Sequence, residues 1–150
     1  MPEPLRGQES IVVNAPPEAI YDLVADVSNM GRFSPETTRC DWIDTGGPSV
    51  GAKFKGHNKY KLMRWSNTCE VIAAERGKEF AFRRPGPDKS TTWRYTFDPV
   101  EDGTRITESW DQERVPPAIV RGTVGLMLRG RDLQQSARTT LQRIKAEAEK

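Results

Sequence analysis

From residue 38 to residue 113 the chain alternates large or apolar residues with polar ones, and nothing in that stretch has helical spacing. The alternation predicts strands over 38–44, 52–60, 64–75, 79–84, 91–97 and 104–113, because successive side chains of a strand point to opposite faces. The intervening strings, Gly46-Gly47-Pro48, Glu75-Arg76-Gly77-Lys78, Pro85-Gly86-Pro87-Asp88 and Glu101-Asp102-Gly103, are turn chemistry. Links this short join antiparallel neighbours, since a parallel pair needs a crossover of a dozen or more residues. An antiparallel meander is therefore expected, not a βαβ fold.

The flanks are different. A short strand is expected over 9–14, centred on Ile11, Val12 and Val13. Pro16, Pro17 and Glu18 make a helix start: proline loses no hydrogen bond in the first turn, and an acid suits the positive end of the dipole. Ile20, Leu23, Val24 and Val27 then share one helical face. A second short helix or turn spans 28–35 and stops at Pro35. At the other end Leu133, Ala137, Leu141, Ile144 and Ala148 form a sustained apolar stripe, predicting a helix over about 130–148. Residues 115–130, with Pro116-Pro117, Gly122, Gly125 and Gly130, read as a hinged cover. Residues 1–7 read as a loose arm and 8–150 as one domain, the size for which a self-sufficient core is normal.

Composition narrows the function classes. Twenty-three Lys and Arg against 21 Asp and Glu leave +2, too balanced to mark a nucleic-acid partner. One histidine and two widely spaced cysteines, Cys40 and Cys69, offer neither a multi-histidine metal site nor a CxxC pair, so no metal or cofactor is expected. No run approaches the ~18 apolar residues of an integral membrane segment. The opening MPEPLRGQES lacks the apolar stretch of a signal peptide, which makes the cytoplasm the expected compartment and reduced thiols the expected state. Nothing in the pattern specifies an oligomeric state. The string GGPSVGAK at 46–53 has Ala52 where a phosphate loop needs lysine, and is read as a turn between strands.

Period two also separates the faces. Lys53, Lys55, His57, Lys59 and Lys61 oppose Phe54, Asn58 and Tyr60, so the lysine side should face water and His57 with it. Phe80 with Phe82, and Trp93 with Tyr95 and Phe97, fall on inner faces, as do Trp65, Cys69 and Val71. The dry face needs a cover, and the C-terminal helix supplies it. In 104–113 the carboxylate of Glu108 shares its parity with Ile106 and Trp110. A buried carboxylate must find a partner or change its pKa. Glu108 is then either a structural hydrogen-bonding group or a site for proton transfer or ligand grip. Asn58, beside Phe54, is a weaker candidate of the same kind.

In this order of elements, the strings SIVVNAPPEAIYDLVADVSNMGRFSP at 10–35, WRYTFDPVEDGTRITESW at 93–110 and RDLQQSARTTLQRIKAEAE at 131–149 resemble the START-like (SRPBCC) superfamily of polyketide cyclase/dehydrase and lipid-transport type. The resemblance covers nearly the whole chain and implies an α+β helix-grip fold: a curved seven-stranded antiparallel sheet around a long C-terminal helix, with two short helices after the first strand. It also implies an apolar cavity between sheet and helix. Trp42, Phe54, Asn58, Trp65, Phe80, Phe82, Trp93, Tyr95, Glu108 and Trp110 are the candidate lining residues. The expected mouth lies near 115–128 and 28–35. The expected function is binding of a small hydrophobic molecule, such as a lipid, a polyketide-like aromatic or an isoprenoid. The alternative is a cyclase or dehydratase working in the same cavity, with Glu108 as the weak catalytic candidate.

Overall fold

The computed structural model describes residues 5–43, 47–84, 91–112 and 122–150. Its elements are β1 (Leu5–Val13), α1 (Pro17–Ala25), a 3-10 turn (Val27–Asn29), α2 (Met30–Phe33), β2 (Thr37–Trp42), β3 (Lys53–Tyr60), β4 (Met63–Glu75), β5 (Glu79–Arg84), β6 (Thr91–Val100), β7 (Gly103–Gln112) and α3 (Gly122–Ala148). The strands form one antiparallel sheet in the order β1-β7-β6-β5-β4-β3-β2. From β2 to β7 the chain meanders. The helices α1 and α2 carry it from one sheet edge, β1, to the other, β2. The fold is the helix grip: a curved sheet with α3 along its inner face.

Local chemistry accounts for the elements. Pro16 caps α1 and Pro17 occupies its first turn, with Glu18 beside it. Asp26 starts the 3-10 turn by accepting from the Ser28 backbone N–H and hydroxyl. The stripe Leu133, Ala137, Leu141 and Ile144 is buried, and Ala148 packs against the same core. On β3 the lysines 53, 55 and 59 are exposed while Phe54, Gly56 and Tyr60 are buried, so the two faces lie as the alternation predicts.

Two boundaries differ from the sequence reading. β1 begins at Leu5 rather than Glu9, with Leu5, Arg6 and Gly7 opposite Gln112, Asp111 and Trp110. Residues 5–7 are thus strand and not arm. This end of β1 is polar because it is a sheet edge, and Arg6 pairs with Asp111 across it at 3.0 Å. α3 begins at Gly122, so Gly125 and Gly130 lie inside a helix and not in a hinge. The remainder of the expected cover, 115–121, lies outside the described residues.

Candidate functional site

Between the inner face of the sheet and α3 lies a cavity of about 540 Å³. Such a volume suits a small organic molecule. The cavity is bordered by the inner residues of β2 to β7, by Met30 and Ser34 around α2, and by Arg129, Leu133, Ser136, Ala137 and Thr140 of α3.

Of the sequence candidates, Phe54, Asn58, Trp65, Phe82, Trp93, Tyr95 and Glu108 border the cavity. Three do not. Phe80 is wholly buried beneath α1, edge-on to Tyr21 at 6.2 Å between ring centres. Trp42 is half-buried on the edge strand and packs edge-on against Phe54 at 5.7 Å. Trp110 stands on the inner face behind Trp93, 6.1 Å from it, with its ring pressed on Gly7 of β1. A Cβ at Gly7 would sit 2.4 Å from that ring, so glycine is what lets the indole lie flat on the strand. Alternation assigns a side chain to a face but not to the cavity-bearing part of that face, so it does not separate these three from the wall residues.

Glu108 is 4% exposed. Its register partner on β6 is Tyr95, whose hydroxyl donates to Glu108 Oε2 at 3.1 Å. Burial pushes the Glu108 carboxyl up to about 8; the Tyr95 hydrogen bond works against the shift and the charge of Glu36 adds to it. The side chain is therefore neutral at pH 7. Its other oxygen, Oε1, has no protein partner. The Tyr95 hydroxyl is raised well above its ordinary value by its own burial and by Glu108, and it remains a donor. The two cysteines also border the cavity. Burial pushes both thiols up to about 12, which keeps them protonated and poorly nucleophilic.

Sequence reasoning missed a second polar group. Arg129 of α3 is 3% exposed and pairs with Glu36 through both terminal nitrogens, each at 2.8 Å. Ser136 donates to the same carboxylate at 3.0 Å. The guanidinium lies 4.0 Å over the Tyr60 ring, and the Tyr60 hydroxyl donates to Asp132. A buried bidentate pair of this kind satisfies both charges and holds the α2–β2 junction to α3. No periodicity could reveal it, because Glu36 sits between elements. Asn67, Arg84 and Gln112 were also missed, although each shares the inner parity of its strand, with Trp65, Phe82 and Trp110 respectively.

The buried polar atoms without a protein partner, among the described residues, are Asn67 Oδ1, Glu108 Oε1, Gln112 Oε1 and Arg129 Nε. All belong to residues on this one wall. Buried polar groups are nearly always satisfied, so such a concentration marks a place where something other than protein completes them.

The sequence profile described as "Polyketide cyclase / dehydrase and lipid transport" matches residues 4–149. The chain belongs to this family. A polyketide-cyclase-like protein of Corynebacterium glutamicum is 30% identical, with 97% of this chain and 91% of that one aligned at a TM-score of 0.64. The fold also matches the ZhuI aromatase/cyclase of a Streptomyces species, at 13% identity and a TM-score of 0.76, over 98% of this chain and 94% of that one. The di-domain aromatase/cyclase StfQ of the steffimycin biosynthetic pathway gives 15% identity and a TM-score of 0.77, over 98% of this chain and 51% of that one. No curated protein matches the chain. Family membership supports a ligand-binding or cyclase role for the cavity. No helix among the described residues is long and apolar enough to cross a membrane.

Proposed function

We propose that this family member binds a small amphipathic molecule, a ring-bearing apolar body with a few oxygen functions, in the cavity between sheet and α3. The observation that carries the reading is the set of unpartnered buried polar atoms on the cavity wall. A purely hydrocarbon ligand would leave them unsatisfied, at roughly 1–3 kcal/mol each. Phe54, Phe82, Trp65 and Trp93 supply flat apolar contact for the body of the ligand. Glu108 Oε1, Asn67 Oδ1 and Gln112 Oε1 supply the hydrogen-bonding positions for its oxygen functions. The sequence reading of a hydrophobic ligand thus becomes one of a ligand with matched polar groups.

Native mass spectrometry of the protein purified from its own host tests this. A retained small-molecule mass, released on denaturation, is expected. Protein that is ligand-free, and that fails to bind an apolar dye such as N-phenylnaphthylamine, would contradict it.

One observation favours a second reading, catalysis of the cyclase or dehydratase type. A carboxyl kept neutral at pH 7 can donate to a ligand carbonyl or to a departing hydroxyl, and its raised pKa suits proton exchange near neutrality. Glu108→Gln separates the readings. In a carrier it alters affinity alone; in an enzyme it removes turnover while ligand still binds.

A further inference from the structure

Among the described residues, the charged ones bordering the cavity are Arg64, Arg84 and Arg129 on one side of the balance and Glu36 and Glu108 on the other. Glu36 is wholly engaged by Arg129 and Ser136. Glu108 is neutral at pH 7. Among the described residues, two guanidinium groups are left without a counter-charge. Among the described residues no carboxylate pairs with Arg84 or Arg64.

Arg84 is the more telling of the two. It is the last residue of β5 and has the parity of Phe80 and Phe82, which places it on the inner face. It is half-buried, and its charge reaches the Cys69 thiol on the neighbouring strand. Thr91 faces it across the β5–β6 pairing, with its side chain buried on the same wall. Asn67 lies two positions before Cys69 on the same face of β4. A partly desolvated guanidinium beside a hydroxyl and an amide is an arrangement that anions satisfy with short, charge-assisted bonds. Arg64 stands at the β3–β4 hairpin end, exposed and on the opposite parity to Asn67 and Cys69, five residues along β4 from the level of Arg84, so it is no part of this seat.

We propose that the ligand of this cavity carries an anionic group, a carboxylate or a phosphate ester, seated on Arg84, while its apolar body extends inward to Phe54 and Phe82. The polarity of the wall sets the orientation. Arg84 occupies the end of β5, and Phe82, Tyr95 and Glu108 lie further along their strands. An acid bound this way keeps its charge near water and sheds only its apolar part into the interior. A neutral ligand of the same shape leaves Arg84 half-desolvated and unpaired.

This inference rests on the ligand-binding reading above, and competition separates the two. N-phenylnaphthylamine fluorescence reports occupancy, and naphthoate, naphthyl phosphate and naphthol compete against it on the full chain. Either anion is expected to displace the dye at no more than about one-tenth of the naphthol concentration, the gain of one charge-assisted hydrogen bond. Naphthoate leading identifies a carboxylate ligand, and naphthyl phosphate leading identifies a phosphate ester. Arg84→Gln is expected to erase the advantage of the preferred anion, Arg84→Lys to keep part of it, and added salt to shrink it. Dye binding with naphthol as strong a competitor as both anions would overturn this inference and leave the ligand-binding reading intact. Failure of the dye to bind at all would overturn both.

Discussion

At the α1 end of the sheet the inner face is solid, whereas at the other end the same strands surround a cavity. Below α1, Val13, Val71, Phe80, Phe97 and Ile106 are almost wholly buried, with Tyr21 edge-on to Phe80 and Phe97. The polar exception, Thr104, is satisfied by donating to the Ala15 carbonyl at 2.7 Å. Towards the N-terminal part of α3, the strands instead contribute Asn58, Asn67, Arg84, Tyr95, Glu108 and Gln112 to the wall. One alternation builds both regions. Polarity at inner positions, not aromatic content, distinguishes the part that surrounds the cavity from the part that only packs.

The largest effect should come from the solid end. Phe80→Ala is expected to cost about 3–5 kcal/mol in urea denaturation, because rigid neighbours cannot collapse onto the void. Trp93→Ala, on the cavity wall, should cost less than half of that and should weaken dye binding instead. Equal costs at the two sites would erase the distinction between the regions.

Glu108 gives the next effect. Its folded pKa, about 8, lies above the ordinary carboxylate value of about 4.3. Between those values the folded state holds a proton that the unfolded state has lost, so stability falls as pH rises through this window. The wild-type protein should lose on the order of 3 kcal/mol between pH 5 and pH 8, with only a small remainder lost above pH 8 from this group. Glu108→Gln should flatten that slope. A slope unchanged in the variant would mean that Glu108 is not the buried neutral acid described above.

The smallest effect concerns Gly56, on the cavity wall between β2 and β4. A Cβ there would meet only Cys40 Sγ at 3.5 Å, an ordinary contact. Gly56→Ala should therefore stabilise the strand by about 0.5 kcal/mol by removing glycine's conformational freedom, while narrowing the cavity and lowering dye affinity. Chemical denaturation and dye titration of one preparation check both signs.

Much of this architecture was legible because it rests on periodicity. The lysine face of β3, the stripe of α3 and the proline start of α1 are all periodic or positional signals, and the structure places them accordingly. Glu108 was legible for the same reason, as a charge at an inner position of β7. Phe80, Trp42 and Trp110 were not separable from wall residues, because depth along a strand depends on where α1 and α3 lie. The Arg129–Glu36 pair was invisible because its partners are far apart in the chain and one sits outside any regular element. Asn67 and Arg84 carried a usable signal. Each is a polar residue at inner parity, and weighting such positions above aromatic ones would have brought the site description nearer to the structure.

The central claim is that the cavity bordered by Trp93 holds a ligand and that Trp110, packed behind Trp93, makes no contact with it. Titration of N-phenylnaphthylamine into wild-type, Trp93→Ala and Trp110→Ala proteins, each confirmed folded by circular dichroism, tests it most directly. Saturable binding is predicted for the wild type, with affinity reduced by about tenfold in Trp93→Ala, the scale of losing one large apolar contact, and little changed in Trp110→Ala. Equal loss in both variants, or no loss in Trp93→Ala, would contradict the account.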